Sequence, residues 1–566
     1  MRSPLILACA GSLLLAACSR EPTPPPADAA PAAADAAAPQ ADHAFKPEID
    51  ADDFRTLVAT LSSDAFEGRA PGSAGEEKTV EYIKAQFERI GLQPGGDNNT
   101  FFQTVPMVET TADESTVLRL AGGAGARELK FGTDMVIGTR TGQADVSVKD
   151  SELVFVGYGV NAPEQGWNDY AGLDVEGKTV VILVNDPGFH AKDESLFDGN
   201  RMTYYGRWTY KFEEAARQGA AAALIIHDSE GASYGWDVVK NSWSGPQFDL
   251  RAEDDPEPRI PAQGWITGEV AKRLFADAGL DLQQQYAAAN KRGFKAVPLG
   301  ARVSFDLRST IAQKSSQNVI GYIPGSSKPE ETIVYMAHWD HLGKHEGEGD
   351  TIYNGAVDNA TGVAGIIEIA EKFKQSAQPQ RSIVFLAVTL EESGLLGSKY
   401  YVAQPAFPLE RTVGVINLDA MSVAGRARDV VVTGKGNSEL EDILKAHADR
   451  QQRTLVEEGN PAGGYYFRSD HFNFAKAGVP ALYAKGGNDL VDGGTEAGKA
   501  AGDEYARRYH QLSDEIHDGW KFDGIVEDLD LLFSVGLDLA DGGRWPNWYD
   551  GNPFKAARDA QRKAAE

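Results

Sequence analysis

Three short apolar runs in the middle of the chain each end at side chains that bind metal ions well. The runs, with the residues that follow them, are 332–337 (TIVYMA) before His338, 382–390 (SIVFLAVTL) before Glu391 and Glu392, and 413–418 (VGVINL) before Asp419. Continuous apolar runs of this length are typical of buried strands. Because a parallel α/β sheet binds ligands at the carboxyl ends of its strands, we expect these side chains to face one common site.

Apolar residues at helical spacing predict helices around these strands. The first helix is indicated by Phe54, Leu57, Val58 and Leu61. A second helix begins after Ser73 with a capping box and ends at Gly91. Further helices are expected over 212–219, 359–374 and 525–539. The connection 64–72, which carries Glu67 and Arg69, is expected to join the first two helices without bordering the active site.

The block from about Asp145 to Pro298 alternates strands with one short helix, which predicts a separate small β-rich domain. Its histidines, His190 and His227, are isolated in sequence, and we expect them to be structural. Its aromatic residues are expected in the core rather than in a substrate cleft; they are Tyr204, Tyr205, Trp208, Trp236 and Trp243. Two separate strands are predicted after the block, one alternating over 303–307 and one over 318–323.

Composition and charge narrow the functional classes. A chain of 566 residues predicts several domains, and 42% hydrophobic residues suffice to build their cores. The net charge of −28 excludes a nucleic-acid partner, because phosphate binding requires a basic surface. We interpret the acidity as a solubility feature.

The first residues predict an exported lipoprotein. Arg2 precedes an apolar run over 5–17 that is too short to span a bilayer, and small residues lead to Cys18. This arrangement resembles a lipobox, in which Cys18 becomes the lipidated first residue. A Pro/Ala-rich stretch over 19–41 is typical of an extended tether. We expect a bacterial outer-membrane location facing the periplasm, with membrane contact through the lipid anchor only. An ordinary secretory signal is the alternative.

The candidate site combines carboxylates and imidazoles, a mixture that suits zinc. Asp358, just before a predicted helix, is our candidate for a carboxylate that bridges two ions. Adjacent side chains in extended backbone diverge, so one of Glu391 and Glu392 can bind metal while the other acts as general base. A further ligand is needed, and the spacing leaves His471 and His510 open.

Six motifs in order resemble the co-catalytic di-zinc aminopeptidase family, whose relatives include glutamate carboxypeptidase and the transferrin receptor ectodomain. The motifs are HWDH from His338, VDNATG from Val357, EESGLLGS from Glu391, NLDAM from Asn417, SDH from Ser469 and YHQLSD from Tyr509. The inserted block, with FVGYG from Phe155 and NDY from Asn168, resembles the protease-associated (PA) domain of some members.

The resemblance implies a mixed α/β fold, with a largely parallel central sheet flanked by helices and an inserted PA domain. It implies these domains: signal peptide 1–17, tether 18–46, N-terminal part of the peptidase 47–144, PA insertion 145–300, zinc peptidase domain 301–550 and C-terminal tail 551–566.

The resemblance also implies two zinc ions per chain. His338, Asp358 and Asp419 would hold one ion, and Asp358, Glu392 and His510 the other. Glu391 would be the general base, Asp340 would orient His338, and Tyr509 would hydrogen-bond the oxyanion. Arg468 and His471 would line the substrate pocket.

The expected function is an aminopeptidase that acts on peptides. A carboxypeptidase or dipeptidase of the same fold is a rival, since free-carboxylate recognition needs Arg or Lys and Arg468 lies within the motif set. A rival of another class is an inactive binding or scaffold lipoprotein. The sequence leaves the oligomeric state, the side-chain preference and the native metal open.

Overall fold

The computed structural model of the protein describes residues 43–122, 125–255 and 257–565. The predicted signal peptide, Cys18 and nearly all of the tether lie outside these residues. No helix within the described ranges combines the length and apolarity needed to cross a membrane.

The strands lie mainly in two sheets. In chain order they are β1 (Gln93–Pro94), β2 (Phe102–Ala112), β3 (Val117–Gly122), β4 (Arg127–Lys130), β5 (Met135–Gly138), β6 (Asp145–Phe155), β7 (Asn161–Ala162), β8 (Trp167–Asn168), β9 (Thr179–Leu183), β10 (Ala222–Ile226), β11 (Pro246–Leu250), β12 (Ala262–Ile266), β13 (Val297–Ile323), β14 (Lys328–His338), β15 (Gly343–Lys344), β16 (Ile352–Tyr353), β17 (Arg381–Val388), β18 (Thr412–Asn417), β19 (Asp429–Val432), β20 (Thr454–Glu457) and β21 (Ala481–Gly486).

The α-helices flank these sheets. They are α1 (Ala51–Leu61), α2 (Ala74–Ile90), α3 (Trp208–Arg217), α4 (Ser229–Ala232), α5 (Trp236–Trp243), α6 (Gly268–Asp277), α7 (Leu282–Ala289), α8 (Thr361–Gln375), α9 (Leu396–Ala403), α10 (Leu440–Arg450), α11 (His471–Lys476), α12 (Gly494–Arg508), α13 (Asp523–Asp541) and α14 (Lys555–Ala565). The predicted caps of α2 are confirmed: the Ser73 side chain accepts the N–H groups of Gly75 and Glu76, and Gly91 ends the helix at φ 81°.

The central sheet has the order β11-β2-β13-β17-β14-β18-β21. Strands β17, β14, β18 and β21 are parallel, whereas β13 runs antiparallel to β17 and β2. Every residue of β17 and β18 is buried, as expected for parallel strands covered on both faces. The three predicted strands therefore form one parallel core, and their carboxyl ends meet at one edge.

One strand of 27 residues, β13, replaces the two separate strands that the sequence predicted. Its first half pairs with β3 and β6, and its second half pairs with β2 and β17. The register shifts twice within the first half, between Pro298 and Arg302 and between Val303 and Phe305. Irregular backbone of this kind lets one strand take part in two sheets. It also interrupts the alternation of apolar and polar residues, so the sequence pattern did not reveal that β13 is one continuous strand.

The inserted unit, residues 117–308, is built on a second sheet with the order β4-β3-β13-β6-β9-β10-β12-β5. It starts at β3, earlier than the expected boundary at 145, because β3 pairs with the first half of β13. Strand β11 leaves this unit and adds to the central sheet beside β2. The expected C-terminal tail contains α14, where buried Arg558 donates to the carbonyls of Thr412 and Val413.

Candidate metal centre

The ends of β14 and β18 and the turn before α8 bring together a first group of potential metal ligands. His338 Nε2 lies 3.2 Å from Asp358 Oδ1 and 3.6 Å from Asp419 Oδ1. His338 and Asp358 are buried, and Asp419 is mostly so. Because β14 and β18 are adjacent and parallel, His338 at the end of β14 and Asp419 shortly after β18 reach the same point. These three residues form a group whose donor atoms converge.

A second group shares Asp358 with the first. His510 Nε2 lies 3.1 Å from Asp358 Oδ2 and 3.1 Å from Glu392 Oε2. The two carboxylate oxygens of Asp358 therefore face different groups, Oδ1 towards His338 and Oδ2 towards His510. This is the placement expected of a carboxylate that bridges two ions.

His341 also contacts the second group, and the sequence had assigned it no role. Its Nδ1 lies 2.7 Å from Glu392 Oε1, and with Asp358 and Glu392 it forms another convergent set of donor atoms. The ring is buried, and its Nε2 has no hydrogen-bond partner among the described residues. In the sequence, its position directly after Asp340 was the one feature that could have indicated a role at the metal centre.

Asp340 connects two of the strand ends. Its carboxylate accepts the backbone N–H of Glu391 at 3.1 Å and that of Glu392 at 3.3 Å. The expected contact with His338 is made more closely by the Asp340 carbonyl oxygen, 3.1 Å from His338 Nδ1, than by the carboxylate, at 3.7 Å. A partner on Nδ1 directs Nε2 towards the first group.

Glu391 and Glu392 lie in a turn after β17, not in extended backbone as the sequence argument assumed. Leu390 directly before them has a positive φ of 58°, and both N–H groups point to Asp340. The side chains nonetheless separate, because Glu392 contacts His341 and His510 while the Glu391 carboxylate pairs with no described residue. Burial raises the pKa of Glu391 well above its usual range, and the nearby Glu392 adds to this.

Residues far away in sequence hold the turn that carries Asp358. The Asp514 carboxylate accepts the N–H groups of Val357 and Asp358, with a distance of 3.1 Å to the latter. The buried Arg69 guanidinium donates to the carbonyls of Trp339 at 2.8 Å and Gly355 at 2.8 Å. The expectation that the Arg69 loop is a plain helix connection was therefore wrong.

The remaining predicted site residues surround these groups. His471 is buried, packs against Tyr466 and Tyr483, and belongs to neither group; burial lowers its pKa to about 3. The residue of that motif which reaches the site is Ser469, whose hydroxyl donates to Asp419 Oδ2 at 2.6 Å. Tyr509 is 49% exposed and stacks on His510, with ring centroids 3.9 Å apart.

The electrostatics of the centre favour a cation. Burial by itself lowers the pKa of His510, but the carboxylates of Glu392 and Asp358 outweigh it and raise the pKa to about 10. The pKa of His338 is likewise raised despite burial, by Glu391, Asp358 and Asp419. A buried centre that drives its own histidines towards the charged form has an excess of negative charge. The donor set, nitrogen and carboxylate oxygen without sulfur, fits zinc.

A cleft of about 630 Å³ opens onto the centre and is lined by both the inserted unit and the central-sheet domain. The lining includes Glu391, Glu392 and His510 of the central-sheet domain and Trp208 and Trp243 of the inserted unit. The expectation that these tryptophans serve only the core was wrong for Trp208, which is half-buried in the cleft wall.

Residues 318–526, which contain every candidate ligand, match the family model of Peptidase family M28. A glutamate carboxypeptidase 2 homolog of Caenorhabditis elegans is 27% identical over 289 residues, which cover 48% of this chain and 35% of the relative. Aminopeptidase NAALADL1 of Mus musculus is 33% identical over 128 residues, 22% of this chain and 16% of the relative. The chain thus spans about a third or less of the length of these curated relatives.

Two solved structures match most of this chain. The aminopeptidase from Aneurinibacillus sp. strain AM-1 has a TM-score of 0.48 at 22% identity, covering 88% of this chain and 96% of that chain. The zinc aminopeptidase from Bacillus subtilis has a TM-score of 0.39 at 18% identity, covering 89% of this chain and 99% of that chain.

Proposed function

We propose that this chain is a metal-dependent exopeptidase that holds two zinc ions and acts as an aminopeptidase. The observation that carries the proposal is the placement of Asp358, whose two oxygens face two separate groups of ligands. Beside it lies the carboxylate of Glu391, which pairs with none of the described residues. One ion would be held by His338, Asp358 and Asp419, the other by Asp358, Glu392 and His510. The match to Peptidase family M28 covers all five residues.

The bound ions would supply Lewis acidity, which polarises the scissile carbonyl and lowers the pKa of water. The chain supplies the proton transfers. Glu391 takes a proton from the attacking water and passes it to the leaving amine, a role that suits a buried carboxylate with a raised pKa. Tyr509, which lines the cleft and stacks on His510, would hydrogen-bond the oxyanion. Asp340 fixes the turn that presents Glu391.

Substrate and metal measurements test this function directly. Purified protein should contain about two zinc ions per chain and should hydrolyse amino-acyl anilides with a free amine. Failure to release product from every free-amine substrate would exclude aminopeptidase activity. Hydrolysis of N-blocked peptides instead would favour a carboxypeptidase, the second candidate, which Arg468 in the cleft wall supports. Less than one ion per chain, with no activity after zinc addition, would favour an inactive scaffold.

We also propose that the inserted unit is a PA domain that shapes access to the cleft, and that Cys18 anchors the protein to a bacterial outer membrane. The first part is supported by the shared lining of the cleft. The second is supported by the sequence around Cys18. Radiolabelled fatty acid should label the wild type but not Cys18→Ser, and a labelled Cys18→Ser variant would refute the anchor.

A further inference from the structure

Most charged groups that line the cleft neutralise one another. Outside the metal centre, each carboxylate of the lining pairs with a cation of the same lining: Asp249 with Arg140 at 2.9 Å, Asp255 with Arg259 at 2.8 Å and with Lys399 at 2.6 Å, Glu213 with Lys476 at 3.1 Å, and Glu257 with Lys476 at 2.5 Å. These pairs include every carboxylate of the lining outside the metal centre and four of its cations.

Two arginines of the lining have no such partner. Arg207 comes from the inserted unit and Arg468 from the central-sheet domain, and neither guanidinium forms an ion pair or hydrogen bond with the described residues. Arg207 Nε, Arg468 Nε and Arg468 Nη2 are shielded from solvent and lack an acceptor. Their charges are close enough to interact, since Arg468 adds to the effect of burial in lowering the pKa of Arg207 to about 10.

Leaving buried guanidinium nitrogens without acceptors is unfavourable, and two like charges at one place make it more so. An acceptor entering the cleft would remove both costs. The planar guanidinium group matches a carboxylate, which accepts two parallel N–H···O bonds. The carboxylates of the cleft wall are already paired, so this acceptor has to come from outside the chain.

We propose that Arg207 and Arg468 form a subsite for a carboxylate of the peptide substrate. The subsite rests on the proposed peptidase function and adds a substrate class to it: short peptides whose C-terminal carboxylate reaches the pair, or peptides with an acidic side chain at the corresponding position. Because each arginine comes from a different unit, the subsite exists only where the inserted unit faces the metal centre.

Two matched substrate pairs test the subsite and distinguish the two sources of the carboxylate. The first pair is a dipeptide and its C-terminal amide; the second is an amidated dipeptide ending in Glu and the same peptide ending in Gln. Charge-assisted hydrogen bonds of this kind predict a kcat/KM about 10–100-fold higher for the carboxylate member of one pair. A preference in the first pair identifies the C-terminus, and one in the second identifies the side chain. Equal values within both pairs would overturn the subsite.

Variants connect the preference to the two arginines. In Arg207→Gln and in Arg468→Gln we expect the ratio of kcat/KM within the responsive pair to fall towards one, and Arg468→Lys to retain part of it. Arg140→Gln is the matched control, because Arg140 lines the same cleft but pairs with Asp249, and it should keep the full ratio. A ratio unchanged in both Gln variants would refute the assignment, as would its loss in the control alone.

Binding without turnover separates this proposal from the proposed function. Calorimetric titration of Glu391→Gln protein with the dipeptide and its amide should show tighter binding of the carboxylate member, and the added Arg468→Gln change should remove the difference. If no peptide is hydrolysed by zinc-loaded wild type, the proposed function fails while this titration still decides the subsite. If peptides are hydrolysed but the two members bind equally, the subsite alone fails.

Discussion

Two buried groups of charges, one in the inserted unit and one at the metal centre, differ in what their carboxylates contact. In the inserted unit, buried Lys211 donates to the carbonyls of Tyr158 at 2.7 Å and Tyr205 at 2.6 Å, and its charge interacts with Asp169 and Asp186. Asp169 in turn accepts from the N–H of Val160 and the indole of Trp167. This group contains its own cation, and its hydrogen bonds join neighbouring loops.

The metal centre has no lysine or arginine within its two groups of ligands, although Arg69 and Lys485 lie nearby and donate to backbone carbonyls. Its carboxylates face histidines, whose pKa values they raise, and Glu391 has no partner among the described residues. The difference indicates which buried charges stabilise the fold and which require a cation from outside the chain. A carboxylate that accepts hydrogen bonds from the chain helps to stabilise the fold, whereas a cluster of carboxylates that faces histidines stores an electrostatic cost that a cation would relieve.

Removing the shared carboxylate should have the largest effect on activity. Asp358→Asn removes a negative charge that faces both groups, so we expect loss of bound zinc and activity at the background of chelator-treated wild type. Zinc per chain by atomic emission, together with anilide hydrolysis, measures both. Asp449→Asn, which changes an exposed partner of Lys445, is the control and should behave as wild type. Full zinc content in Asp358→Asn would contradict the bridging role.

Replacing the proposed base should lower turnover without emptying the site. Glu391→Gln keeps the size of the side chain but cannot accept a proton, so we expect kcat to fall about 10²–10⁴-fold. Zinc content should stay at the wild-type value, because Glu391 belongs to neither group of ligands. Turnover close to wild type would show that another group takes the proton.

The histidine that the sequence argument missed should have an intermediate effect. His341→Gln removes the ring that holds Glu392 Oε1, and loss of such a supporting contact typically weakens metal affinity about 10–100-fold. Zinc competition with a chromophoric chelator measures the affinity directly. His345→Gln, at an exposed position a few residues on, is the matched control. Equal zinc affinity in both variants would leave His341 without a role at the centre.

Removing Lys211 from the inserted unit should affect stability and leave activity nearly unchanged. Lys211→Met leaves the carbonyls of Tyr158 and Tyr205 without this donor, and a buried acceptor left unsatisfied typically costs about 1–3 kcal/mol of unfolding free energy. Lys445→Met removes a cation from an exposed pair with Asp449 and should cost at most about 0.5 kcal/mol. Urea denaturation measures the stability, and kcat per folded molecule should match wild type in both. A large loss of kcat in Lys211→Met would contradict the prediction that this group affects stability and not activity.

Local pattern predicted the elements that carry the chemistry. The three apolar runs became β14, β17 and β18, and the caps of α2 lie at Ser73 and Gly91 as expected. Such features depend on neighbours in sequence, so periodicity and capping chemistry reveal them. The placement of His338, Glu391, Glu392 and Asp419 after strand ends followed from the geometry of parallel sheets.

Contacts between distant segments were not visible in that pattern. Arg69, His341, Ser469 and Asp514 reach the centre through hydrogen bonds or close contacts to segments elsewhere in the chain. The continuity of β13 and the early start of the inserted unit were missed for the same reason, since both depend on pairing with β3. The turn at Leu390 likewise replaced the expected extended backbone because Asp340 binds both following N–H groups.

The sequence by itself determined which residues end the strands and which chemistry they offer, because side-chain type and apolar periodicity are local properties. The spacing alone left His471 and His510 open, and the tertiary structure shows that His510 is the one that contacts Asp358 and Glu392. It alone brought Arg207 and Arg468 to one cleft, where their buried nitrogens have no acceptor among the described residues. The physical reason is that charge balance and convergence of donor atoms are properties of groups assembled from distant segments, and they exist only after the sheets have formed.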